Sequence, residues 1–158
     1  MNKLIVSTTV AALLGVALAG TTLAAIAKAE KTFKGTLQSV ETYVVNPPIM
    51  SVTANGSGNA TQLGQYAISY EVEVNLETLA GVGSAQLVAA NGDILYANLS
   101  GQATPTGTED VFNVVEEFTI TGGTGRFANA SGSFTLDRVV NITTGVTSGK
   151  MNGTIIIP

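Results

Sequence analysis

Beyond residue 30 the apolar side chains recur at every second position, not every third or fourth, so the chain reads as strands rather than helices. The clearest case is "VFNVVEEFTIT" (111–121). One face carries Phe112, Val114, Glu116, Phe118 and Ile120, the other Val111, Asn113, Val115, Glu117 and Thr119. "SGSFTLDRVVN" (131–141) likewise groups Gly132, Phe134, Leu136, Arg138 and Val140. Segment 65–75 groups Tyr66, Ile68, Tyr70, Val72 and Val74, with Glu71 and Glu73 on the other face as solvated charges. Further strands are predicted at 32–44, 84–90, 93–103 and 149–157, with a shorter piece near 50–54. Loops are expected at 46–48, 55–64, 78–83 and 103–110, where turn-forming residues collect. About eight strands at roughly 16 residues each suit a small barrel or sandwich. Closure would pair 149–157 on both edges, because its isoleucines on an open edge would invite aggregation.

One hairpin can be placed to the residue. In "AQLVAANGDILYANL" a two-residue turn through Asn91-Gly92 leaves neither face clean. A three-residue loop, Ala90-Asn91-Gly92 with Gly92 left-handed, pairs Ala89 with Asp93. Ala85, Leu87, Ala89, Leu95, Ala97 and Leu99 then share one face. A one-residue slip exchanges the faces, so the cleaner partition is the one expected.

"TITGGTGRFANASGSF" (119–134) holds Gly123, Gly125 and Ala128 in the order G-x-G-x-x-A, the spacing of a dinucleotide-binding turn. Such a turn must open a helix whose amino end holds the pyrophosphate. Here Asn129, Ser131 and Gly132 spoil a helix, strand alternation resumes at Gly132, and Asp137 comes too soon to meet a ribose hydroxyl. The glycines are therefore read as backbone chemistry: positive φ in a tight connection, and a bend at Gly132.

The composition narrows the chemistry by absence. The chain has no histidine and no cysteine, which removes Ser-His-Asp and Cys-His catalysis, imidazole and thiolate metal sites, and disulfides. Residues 1–29 read as a signal peptide, with Lys3 before an uncharged stretch and the small-x-small sequence Ala27-Lys28-Ala29 at its end. Residues 30–158 are then one exported domain, secreted or periplasmic. It keeps five cations (Lys31, Lys34, Arg126, Arg138, Lys150) against all eleven acids, a net charge of −6. So acidic a chain, with no basic cluster, is not built for nucleic acid, nor for a membrane after processing. No cofactor and no metal is expected. Six Asn-x-Ser/Thr triplets (Asn55, Asn59, Asn98, Asn129, Asn141, Asn152) read as turn and strand-edge chemistry.

"GGTGRFANASG" (122–132) resembles the signature turn of the dirigent and allene oxide cyclase superfamily, and the wider run from "GNATQLGQY" to "GKMNGTI" resembles small exported bacterial proteins of that barrel type. The resemblance implies an all-β, single antiparallel eight-stranded barrel with a central apolar cavity, and a trimer as in many plant members. The plant enzymes' cavity residues do not carry over, because outside 122–132 the positions do not match.

Glu116 and Arg138 each interrupt an apolar face, on consecutive strands and with opposite sign. If both faces turn inward, the two side chains come within reach in the lumen. Unpaired, a buried carboxylate would have its pKa raised by up to about 3–5 units; paired with a guanidinium it can stay ionised. The pair reads either as a structural ion pair or as a polar anchor for a ligand, with Tyr66, Tyr70, Phe112, Phe118 and Phe134 as further ligand contacts. Three functions follow. The one adopted is a non-catalytic exported barrel that binds a small apolar or amphipathic molecule. The second is a cyclase or isomerase of the allene oxide cyclase–dirigent type using Glu116 and Arg138. The third is a structural envelope or assembly module with a filled lumen. The leader makes its own prediction: intact-mass measurement of exported protein finds Glu30 or a near neighbour as the first residue, whereas full-length chain held in membranes would contradict it.

Overall fold

The computed structural model describes residues 28–158, so the expected leader at 1–29, but for its last two residues, lies outside them. The chain forms eight strands: β1 (Glu30–Asn46), β2 (Ile49–Ala60), β3 (Gly64–Asn75), β4 (Ala80–Val88), β5 (Ile94–Pro105), β6 (Val111–Gly123), β7 (Ser131–Asn141) and β8 (Val146–Ile156). Each pairs antiparallel with its neighbours in sequence, and β8 closes on β1, giving the expected eight-stranded antiparallel barrel. Met151 of β8 faces Leu136 on one side and Gly35 on the other, so the isoleucine-rich last strand has no free edge. The alternation read in 65–75, 111–121 and 131–141 has the expected phase: their apolar faces line the lumen, and Glu71 and Glu73 are exposed outside.

Two expected loops are strand instead. β2 continues through 55–60, leaving only Thr61, Gln62 and Leu63 between β2 and β3. A Cβ at Gly56 or Gly58 would run into the backbone of β1, so these glycines serve close strand approach rather than a turn. β4 begins at Ala80, inside the loop expected at 78–83, and β5 runs on to Pro105. Composition misleads in these places because glycine marks both turns and tight inter-strand contact.

The β4–β5 hairpin adopts the three-residue loop. Ala89 N–H donates to the Asp93 carbonyl at 2.8 Å, Gly92 N–H donates to the Ala89 carbonyl at 2.9 Å, and Gly92 has φ +88°. Leu87 consequently faces Leu95, both fully buried. The glycine-rich connection docks against this hairpin. Arg126 N–H donates to Asp93 Oδ2 at 3.1 Å, and Ile94 N–H donates to Thr124 Oγ1 at 2.8 Å. After the one 3₁₀ turn at Gly125–Phe127 the chain enters β7 at Ser131, so no helix opens to hold a pyrophosphate. Gly122 and Gly125 take φ of +124° and +51°, and Phe127 is driven fully inside as a plug.

The lumen divides into two unlike halves. Towards the end closed by Phe127 it is filled: Phe118 stacks on Phe134 with centroids 4.6 Å apart, and Phe33 meets Phe134 at 4.8 Å, among Leu37, Leu87, Leu95 and Ile155. Towards the other end, bounded by the β1–β2, β3–β4, β5–β6 and β7–β8 connections, the inward positions of β4 and β5 are only Gly81, Gly101 and Ala103. That side of the barrel supplies little volume, so the lumen stays open there. Urea unfolding tests the asymmetry. Phe134→Ala costs about 3–5 kcal/mol, as for a fully enclosed ring, whereas Phe112→Ala at the open end costs about 1 kcal/mol. Equal losses would mean that the lumen is uniformly packed.

Candidate functional site

The open half contains a cavity of about 140 Å³ with an apolar wall that includes Met50, Val52, Val72, Val74, Phe112 and Val140. Its only charged lining residues among those described are Glu41, Glu116 and Arg138. All three lie on different strands, and the two-residue period turns each inward. Glu116 stands opposite Leu136 and Arg138 opposite Val114, so the two charges meet on a diagonal between β6 and β7. Two glycines make room for them. A Cβ at Gly101, opposite Glu116, would lie 2.5 Å from the Glu116 Cγ, and one at Gly149, opposite Arg138, 2.6 Å from the Arg138 Cβ.

The guanidinium is gripped from two sides. Arg138 Nε donates to Glu116 Oε2 at 2.8 Å and Nη2 to Glu116 Oε1 at 2.9 Å, a bidentate pair. Nη1 donates to Glu41 Oε1 at 2.5 Å and to Thr147 Oγ1 at 3.4 Å. Glu41 was not among the residues singled out in the sequence, yet it completes the cluster. Its Oε1 also accepts from the Tyr70 hydroxyl at 2.7 Å and its Oε2 from the Tyr43 hydroxyl at 2.9 Å, while Ser39 Oγ lies 3.0 Å from the Tyr70 hydroxyl. Glu41, Glu116 and Arg138 are 5%, 3% and 7% exposed. Among the described residues no buried side-chain polar atom lacks a partner.

Burial alone would disfavour the Arg138 charge, but the Glu116 hydrogen bonds and the charges of both glutamates outweigh it and hold the guanidinium firmly protonated. Burial pushes the Tyr70 hydroxyl well above its ordinary range, and the Arg138 charge offsets only part of this. Burial, then the Glu41 charge, raise Tyr43 in the same direction. Both phenols therefore stay protonated and donate to Glu41 throughout the physiological range.

The other expected ligand contacts separate. Phe112 lines the cavity, whereas Tyr70 does not line it and lies behind it, donating to the lining Glu41. Tyr66, Phe118 and Phe134 do not line it. The two phenylalanines belong to the filled half, and the Tyr66 hydroxyl is spent on the Thr36 carbonyl at 2.7 Å and the Met151 sulfur at 3.7 Å. Strand phase places all of these inside the barrel but does not say which end of it is packed.

No family model matches the chain, and no curated protein matches it. Among solved structures it is similar to two pterocarpan synthase dirigent proteins. One, GePTS1, superposes with a TM-score of 0.58 at 14% identity over 92% of this chain and 99% of that one. The other, PsPTS1, gives 0.59 at 13% identity over 82% and 96%. The barrel is thus dirigent-like in fold, as the glycine-rich turn suggested.

The cluster makes a sharp prediction. Arg138→Met leaves two buried carboxylates facing each other and destabilises the fold by about 3–5 kcal/mol in thermal or urea melts. Adding Glu41→Gln and Glu116→Gln recovers much of that loss, because no buried charge remains to be solvated. If Arg138→Met melts like wild type, the three groups are not packed together.

Proposed function

We propose that this barrel is a non-catalytic binder of a small amphipathic molecule, taken into the open half of its lumen. The cavity carries the reading: apolar walls, a floor of fixed polar groups, and one accessible end. Its volume of about 140 Å³ is close to that of an engineered apolar cavity, about 150 Å³, that holds benzene. A ligand moiety about the size of one aromatic ring therefore fits. The dirigent-like fold supports a lumen ligand, though not the absence of catalysis, since the two similar structures are named as pterocarpan synthase dirigent proteins. The leader at 1–29 supports action outside the cytoplasm.

The geometry favours binding over acid–base catalysis. Glu116 is held bidentate by Arg138, and Arg138 is bound on its other side by Glu41. A carboxylate so fixed to a guanidinium is a poor general base. The open half speaks equally against a purely structural barrel, because a lumen needed only for support would gain stability from being packed throughout.

Calorimetric titration with benzyl alcohol, a neutral one-ring probe, tests the reading. Wild type binds it. Ala103→Phe, which fills the cavity from β5, abolishes binding while the protein still melts cooperatively. Binding that survives Ala103→Phe unchanged would place the ligand elsewhere, and no binding by wild type would sink the proposal.

A further inference from the structure

The cavity floor has an unbalanced charge. Two carboxylates face one guanidinium, and no other charged side chain among the described residues lines the cavity. The charges on the neighbouring strand positions lie on the outer face: Glu71, Glu73, Glu117, Asp137 and Lys150 are all exposed. The formal charge at the floor is therefore −1, in a place where water can do little to screen it.

The hydrogen-bonding capacity is unbalanced in the same sense. The Tyr43 hydroxyl at the floor and the Tyr70 hydroxyl behind it both spend their protons on Glu41, and Arg138 spends Nε, both hydrogens of Nη1 and one of Nη2. One guanidinium hydrogen is left over. Glu116 Oε1, Glu116 Oε2 and Glu41 Oε2 each accept only one bond, so each keeps a spare lone pair. The floor thus offers acceptors and negative charge, and almost no donors.

We infer that the molecule bound here presents a cationic donor, a primary or secondary ammonium, on an apolar body of about one ring. The ammonium lies against Glu116 and Glu41 and brings the buried floor to neutrality, while the ring occupies the wall formed by Val72, Val74, Phe112 and Val140. Such a ligand stabilises the floor as well as itself, because it supplies the second cation that the two carboxylates lack. An anionic headgroup meets a net negative floor and is rejected. This inference rests on the lumen-binding reading and adds the headgroup to it.

Three probes of one shape test it: benzylamine, benzyl alcohol and benzoate, titrated into the folded wild-type protein at neutral pH. The expected order is benzylamine tightest, at least about tenfold over benzyl alcohol, with benzoate not binding. Glu41→Gln makes the floor neutral and keeps an acceptor for Arg138, so the ratio of benzylamine to benzyl alcohol affinity falls from about tenfold to near one, whatever happens to the absolute affinities. The wild-type order needs no variant, so a poorly folding Glu41→Gln would still leave the inference decided. Benzyl alcohol or benzoate binding as tightly as the amine, with binding still lost in Ala103→Phe, would overturn the cationic headgroup and leave lumen binding intact. Failure of all three probes would overturn both.

Discussion

A guanidinium can be enclosed in a barrel only if carboxylates come to meet it, and the environment of Arg138 follows from that requirement. Desolvating the ion costs several kcal/mol. Here the cost is offset by a bidentate contact from Glu116 and a second contact from Glu41, the latter fixed in turn by Tyr43 and Tyr70. These groups come from β1, β3, β6 and β7, so the cluster ties together strands on several sides of the lumen. Gly101 and Gly149 are small because the charged side chains opposite them need the room.

The cluster also marks where the packed half of the lumen ends. On one side of it the phenylalanine stack and the Phe127 plug fill the interior, as most small barrels are filled. On the other side the walls are apolar but thin, and a cavity remains. The division separates stability from binding: the filled half supplies most of the buried ring area, and the open half can accept a ligand without losing it. The glycine-rich turn that mimics a nucleotide motif belongs to the filled half, where it seats Phe127 against the β4–β5 hairpin.

Much of this was legible in the sequence, and the exceptions have physical causes. In 111–121 and 131–141 the faces are cleanly apolar except for one charge each, so the inward phase and the meeting of Glu116 with Arg138 could be read directly. β1 defeats the same reasoning. Its outer face carries Val40 and Val44, each more than half exposed, while its inner face carries Ser39 and Glu41 and ends in an exposed Val45 at the rim. With valines outside and a glutamate inside, alternation alone hides Glu41. The usable signal was Phe33, Leu37 and Tyr43 at the odd positions, which put Glu41 on their face. In β2 the two glycines that resemble loop residues, Gly56 and Gly58, are what let β2 lie close against β1.

The most direct test of the account is a ¹⁵N-resolved NMR spectrum of the arginine side chains in the folded protein. Only Arg126 and Arg138 carry guanidinium groups. Arg126 is exposed, so its Nε–H exchanges rapidly with water. The account predicts a single slowly exchanging Nε–H signal at neutral pH, from Arg138, lying close in space to the Glu116 side chain and lost in Glu116→Gln. Rapid exchange at both arginines would contradict it, because a guanidinium held between two buried carboxylates has no water to exchange with.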